Sequence, residues 1–189
     1  MEKFKKGAVL ITGTTSGVGL NTLKPLIEFG WDIIAVNRSS KRAIDEANKI
    51  FKNNEIESIN FIEIDLSDLN SVRDGAKEIA TRFGNVLKVL ICNAAVYKPR
   101  LKRPERSPQG FENSMAVNHF GHFLLINLLL ESILNSDEKI ILNGEISKFI
   151  PRITILGTVT ANSLELGGKI PIPAPANLGD LSGFEHGFL

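Results

Sequence analysis

Three glycines, Gly13, Gly17 and Gly19, stand with the spacing G-x-x-x-G-x-G inside Val9-Leu10-Ile11-Thr12-Gly13-Thr14-Thr15-Ser16-Gly17-Val18-Gly19-Leu20. The apolar residues 8–11 before them read as a buried strand, and residues 20–29 after them as a helix. A pyrophosphate needs this order of elements. The turn must be tight, the backbone must admit close approach, and a helix N-terminus must offer free N–H groups and a positive dipole end. Thr12, Gly13, Ser16, Gly17, Val18 and Gly19 are the candidate cradle. Glycines alone fit a plain strand-to-helix turn equally well; the flanking strand and helix favour a nucleotide.

A second cluster sits at the tip of the next apolar strand, residues 31–36, and reads Asn37-Arg38-Ser39-Ser40-Lys41-Arg42. Proteins that bind a free ribose 2′-hydroxyl carry an acid here, about 20 residues past the glycines. This tip has none. A carboxylate would repel a 2′-phosphate, whereas Arg38 pairs with one and Lys41 or Arg42 assists. Lys41 and Arg42 would equally well solvate a helix start. The cofactor read from this tip is NADP (NADPH).

Asp65, followed by Leu66, ends a third strand over residues 59–64. It either bonds an adenine amino group or caps the next helix, residues 71–83. The fourth strand, residues 86–92, runs into Asn93-Ala94-Ala95-Val96-Tyr97. Small residues there admit a ligand close to the backbone, and Asn93 can tie neighbouring strand ends together. Cys92 reads as a small buried hydrophobe rather than a reactive thiol. Residues 98–110 form a Pro-containing loop with five basic residues against Glu105, by default a solvated one and otherwise one that lies over an anionic ligand or docks on a charged surface.

The elements that must position these groups follow from periodicity. Residues 43–51 pattern as an amphipathic helix, and residues 111–134 as the longest apolar one, containing Asn118-His119-Phe120-Gly121-His122-Phe123-Leu124. His119 and His122 have no carboxylate or cysteine at ligand spacing, so they read as structural histidines and no metal is expected. Residues 135–149 form a polar connector, and residues 152–156 a fifth strand ending in Gly157-Thr158-Val159-Thr160. Right-handed crossovers then give an α/β, Rossmann-type doubly wound parallel sheet of strand order 3-2-1-4-5. Pro171, Pro173 and Pro175 make the tail extended.

The bulk numbers agree with one domain over residues 1–189: 43% hydrophobic and 23% charged residues. A net charge of +1 argues against a nucleic-acid partner. The single cysteine rules out an internal disulfide. No stretch reads as the ~20 apolar residues of a membrane span, and the start lacks the pattern of a signal peptide. A soluble, cytoplasmic protein is expected.

Taken together, Thr12-Gly13 to Gly19, Asp65-Leu66, Asn93-Ala94-Ala95, Asn118 and the strand from Arg152 to Thr158 resemble the short-chain dehydrogenase/reductase family, with Ala95 where the family usually has glycine. Residues 92–97, 118–124 and 156–162, with the tail at 165–183, are similar to its light-dependent protochlorophyllide oxidoreductase branch, in the cyanobacterial form. The resemblance implies that NADPH delivers hydride to protochlorophyllide after the pigment absorbs light, in chlorophyll biosynthesis. It implies a catalytic hydroxyl at Thr158, an Asn118 that helps hold a proton-relay water, and a substrate-pocket Tyr97. Peripheral association with photosynthetic (thylakoid) membranes and a homo-oligomer are also compatible with it.

One departure matters. The family's Tyr-x-x-x-Lys pair, proton donor and ribose anchor, should follow shortly after residues 181–183, yet the only tyrosine is Tyr97. The expectation is a cofactor-binding domain incomplete at its C-terminal end, with later strands missing and without photoreductase activity as residues 1–189 alone. The alternatives are another NADP-dependent short-chain carbonyl reductase and a non-catalytic NADP-binding remnant.

Overall fold

The computed structural model describes residues 7–98, 101, 103–136, 139–142 and 145–157. Along the chain run β1 (Ala8–Thr12), α1 (Gly17–Glu28), β2 (Asp32–Asn37), α2 (Ser40–Asn48), a short α3 (Asn53–Ile56), β3 (Ile59–Glu63), α4 (Leu69–Phe83) and β4 (Leu87–Cys92). After a loop come α5 (Asn113–Leu134), β5 (Lys139–Leu142), β6 (Glu145–Lys148) and β7 (Arg152–Ile155). Five strands form one parallel sheet in the order β3-β2-β1-β4-β7. This is the order expected from sequence, with β7 as its fifth strand. The antiparallel pair β5–β6 intervenes, where residues 135–149 had read as a shapeless connector. Strands of four residues each are too short to stand out there.

Both faces of the sheet are covered over β1, β2 and β4, which is why those strands are largely apolar rather than alternating. Side chains on a strand point to opposite faces in turn, so β1 divides its residues between two cores. Leu10 packs with Ile34 and Leu90 under α4 (Val72, Ala76, Ile79) and α5 (Leu125, Leu129, Ile133). Ile11 packs with Ile33 and Ala35 under α1 (Leu20, Leu23) and Ala47 of α2. β1 and β4 lie inside the sheet, and their carboxyl ends open toward one edge of the molecule where the glycine loop sits.

Three helix starts differ from the sequence reading, each for a local reason. Helix α1 begins at Gly17, because extended Ser16 hands directly into it. Helix α2 begins at Ser40 rather than residue 43, because the Ser39 hydroxyl accepts from Arg42 N at 3.3 Å and caps it. Helix α4 begins at Leu69 with Asp68 as its cap, accepting from Asn70 N at 2.9 Å. Asp65 therefore does not cap that helix. Finally, α5 is 22 residues long and apolar enough, by length and composition, to cross a membrane, contrary to the sequence expectation. Its Leu125, Leu129 and Ile133 are sealed against the sheet, so packing in the α/β layer accounts for that stripe.

Helix α5 carries a π turn over Ala116–Gly121. A Cβ at Gly121 would collide with the carbonyl of Leu66, so glycine lets α5 lie directly on the β3–α4 connection. Thr158 and the tail motifs lie outside the described residues.

Candidate functional site

The site is built at the carboxyl ends of β1, β2, β3 and β4. Gly13, at φ +75°, turns the chain out of β1, and its N–H donates to Val36 O at 2.8 Å. A Cβ at Gly13 would lie 2.7 Å from Ala94 Cα, and one at Gly19 would meet the Gly13 carbonyl and the Asn93 amide. The loop therefore lies against the β4 end with no room for a side chain at these two positions. No side chain caps α1, and its first turn holds no acidic residue. Ser16, Gly17 and Val18 at its start are exposed, and the leading N–H groups of an uncapped helix are what an anion requires.

Two asparagines hold this loop in place. Asn93 donates from Nδ2 to Thr12 O at 2.8 Å and to Gly13 O at 3.0 Å, tying the β4 end to the loop. Asn37, at the β2 tip, accepts from Thr14 N through Oδ1 at 2.7 Å and donates from Nδ2 to Thr14 Oγ1 at 2.8 Å. Asn37 and Thr14 are both buried. In the sequence Asn37 stands out only as the place where an acid is missing. The available signal was an amide at the end of an otherwise apolar strand, where a buried polar group must have a partner.

Arg38 and Lys41 are exposed beyond the β2 tip, with no carboxylate on the tip itself. Glu63, at the end of neighbouring β3, accepts from Ser40 N at 3.0 Å and so caps the start of α2. Asp65 accepts through Oδ1 from Ser67 N at 2.9 Å and Ser67 Oγ at 2.6 Å, and its own N–H donates to Ser71 Oγ at 2.9 Å. That turn fixes the Asp65-Leu66 corner, and Oδ2 has no hydrogen-bond partner among the described residues.

Beyond β4, Ala94 rests on the glycine loop while Ala95 and Tyr97 are exposed, Tyr97 at 79%. Asn118 clamps this strand extension from the π turn. Its Oδ1 accepts from Val96 N at 2.7 Å and its Nδ2 donates to Val96 O at 2.9 Å. Both ends of its amide are thereby engaged. His119 is exposed, but His122 is buried, with Nε2 2.8 Å from Thr12 Oγ1 and Nδ1 3.5 Å from the Asn118 carbonyl. The same Thr12 hydroxyl oxygen accepts from Asn93 N and Ala94 N, each at 3.0 Å. Burial holds the His122 pKa below its ordinary value, and it pushes the Cys92 thiol up to about 12. Cys92 is chemically quiet packing. Among the described residues no group of three His, Cys, Asp or Glu side chains could hold a metal.

The structure thus brings Thr12, Gly13, Asn93 and Ala94 into one bonded unit, with Gly19 packed against it and Ser16, Gly17 and Val18 exposed beside it. Arg38 and Lys41 follow the end of β2, Asp65 and Leu66 the end of β3, and Ala95 and Tyr97 the end of β4, where Asn118 bonds Val96.

Comparison with known proteins agrees with this arrangement. The short chain dehydrogenase family profile matches residues 7–144. The chain is 39% identical over 184 residues to a chloroplastic protochlorophyllide reductase of Chlamydomonas reinhardtii, covering 97% of this chain and 43% of that protein. It is 41% identical over 185 residues to the chloroplastic protochlorophyllide reductase of Daucus carota, with the same coverages. The chain therefore spans less than half the length of these relatives. Among solved structures, a 3-ketoacyl-(acyl-carrier-protein) reductase from Brucella melitensis complexed with NADH superposes with a TM-score of 0.51 at 23% identity, covering 68% of this chain and 50% of that one. A glucose/ribitol dehydrogenase of the short-chain type from the same organism gives a TM-score of 0.54 at 20% identity, covering 69% and 53%. The bonded glycine loop, the β3-β2-β1-β4-β7 sheet and the matched profile lead to one conclusion: this chain belongs to the short chain dehydrogenase family.

Proposed function

We propose that the chain is the nucleotide-binding part of an NADPH-dependent, light-driven protochlorophyllide reductase acting in chlorophyll biosynthesis. The observation that carries the reading is the 39% and 41% identity, along nearly all of this chain, to proteins named protochlorophyllide reductase. What supports a dinucleotide here is a glycine loop packed so closely on the β4 end that a Cβ at Gly13 or Gly19 would collide with Ala94, Asn93 or the loop's own backbone, leading into a helix start that no side chain caps. Gly13, Ser16, Gly17, Val18 and Gly19 hold the pyrophosphate through backbone N–H groups. Arg38, with Lys41, pairs with a 2′-phosphate; Asp65 offers its unpartnered Oδ2 to the adenine amino group. Asn93, Ala94 and Ala95 line the nicotinamide end, where Tyr97 meets the pigment. When bound, NADPH supplies the hydride. The chain's own work is to orient that end and to exclude water from it.

Asn118 contributes to this reading by holding the strand extension at Val96 with one N–H and one lone pair of its amide. The second N–H and second lone pair of that exposed amide are the groups with which it helps hold a relay water. Thr158, outside the described residues, is proposed as the hydroxyl at the reacting end on resemblance alone. That the relatives are chloroplastic supports a photosynthetic cell as its setting, and peripheral association with the membranes there is part of the proposal.

The test is a titration of the purified chain with NADPH and NADH, followed by nucleotide fluorescence, and with protochlorophyllide, followed by absorbance. Tighter binding of NADPH, a preference reduced about tenfold by Arg38→Ala, is expected, since a charge-assisted pair contributes about 1.5–3 kcal/mol. A preference for NADH would overturn the cofactor assignment. Binding of NADPH without any perturbation of the pigment spectrum would point to another short-chain reductase.

A further inference from the structure

The buried histidine of α5 has no part in the reading so far. A hydroxyl carries one proton and two acceptor lone pairs. At Thr12 Oγ1 both acceptor positions are taken, by Asn93 N–H and Ala94 N–H at 3.0 Å. The remaining proton has one place to go, His122 Nε2 at 2.8 Å. Nε2 is therefore the acceptor, and the ring proton of the neutral imidazole sits on Nδ1, facing the Asn118 carbonyl at 3.5 Å. The ring is 4% exposed and Thr12 fully buried, so water does not substitute for either partner.

From this chain of bonds we propose that His122 is a positioning residue for the nucleotide site, locked as the Nδ1–H tautomer. It joins the π turn that carries Asn118 to the Thr12 hydroxyl that holds the β4 extension. Through Thr12 it orients the N–H groups of Asn93 and Ala94, and so the small-residue floor at Ala94-Ala95. Through the Asn118 carbonyl it holds the turn whose side chain clamps Val96. Both ends of the stretch from Asn93 to Val96 are thereby referred to one imidazole. A charged ring would present a second N–H to a hydroxyl with no acceptor position left, breaking the link at Thr12. The functional half of this proposal rests on nicotinamide nucleotide binding; the tautomer does not.

The test uses the full chain labelled with 15N in its histidine rings, and NMR of the ring nitrogens at neutral pH. The expected result is one histidine with protonated Nδ1 and bare Nε2, whose Nε2 signal moves in Thr12→Val and stays in place in Thr12→Ser. A ring protonated at Nε2, or a signal indifferent to Thr12→Val, would overturn the assignment. In NADPH titrations His122→Phe should bind about tenfold more weakly, the effect of losing one buried hydrogen-bond partner. His122→Gln, which keeps an acceptor for the Thr12 hydroxyl, should recover most of that loss. Equal affinity of His122→Phe and the wild type would refute the positioning role. A wild-type chain that bound no nicotinamide nucleotide would defeat the proposed function, while the ring-nitrogen spectrum would still decide the tautomer.

Discussion

At the scale of single residues, the site is held by amides and hydroxyls rather than by ions. Asn37 illustrates the energetics. Replacing it with Leu removes the partner of both Thr14 N and Thr14 Oγ1 at a buried position. A buried polar group left unsatisfied costs about 1–3 kcal/mol, so Asn37→Leu should lower the urea midpoint of unfolding and weaken nucleotide binding together. Loss of binding without loss of stability would mean that Asn37 contacts the ligand instead of bracing the loop. His122 supplies a pH prediction. Its folded pKa lies below the ordinary 6.5 because burial disfavours the charged ring, and neither neighbour, the Thr12 hydroxyl nor the Asn118 carbonyl, carries a charge. The unfolded chain therefore binds the proton more readily. The stability this residue contributes is complete above pH 6.5 and is lost as pH falls through the lower, folded value. Denaturation midpoints measured from pH 7.5 downward should fall less steeply for His122→Gln than for the wild type.

At the scale of elements, α5 does two jobs with two faces. Its buried face, Leu125, Leu129 and Ile133, closes the core beneath β4 and α4. Leu129→Ala, at a fully buried position, should cost about 2–5 kcal/mol. Leu130→Ala, one residue away and 38% exposed, should change stability by less than about 0.5 kcal/mol. Equal losses would mean that the helix is rotated from the position described. The N-terminal part is different in kind, because the π turn over Ala116–Gly121 lets Asn118 reach Val96 while Gly121 seats against Leu66. Gly121→Ala should lift α5 from the β3–α4 connection. It should cost about 1–3 kcal/mol by overpacking, read in the same denaturation series.

At the scale of the molecule, stability is uneven across the sheet. β1 is flanked on both sides, by β2 and β4, and every one of its residues is buried. β7 pairs on one side only among the described strands and carries exposed Ile155, followed by exposed Leu156. Native-state hydrogen exchange should accordingly show β1 and β4 opening only with global unfolding, and β7 and the β5–β6 pair exchanging through local openings. An apolar edge of this kind also recruits other strands. Ile155→Lys should reduce concentration-dependent light scattering of the chain; unchanged scattering would show that association proceeds through another surface.

Periodicity and turn chemistry by themselves determined the sheet, because apolar runs broken by glycines and separated by helical patterns admit few topologies. The strand order and the glycine loop were legible in that way, and so was the tie made by Asn93. Tertiary structure alone decided the rest. The helix starts at Gly17, Ser40 and Leu69 depend on backbone geometry and on the caps at Ser39 and Asp68, which composition leaves open. The short β5–β6 pair carries too few residues to announce a period. The linkage of Thr12 to His122 joins residues 110 positions apart. Such a bond exists because the parallel crossovers bring the end of β1 beneath α5, and no local pattern in the chain encodes that meeting.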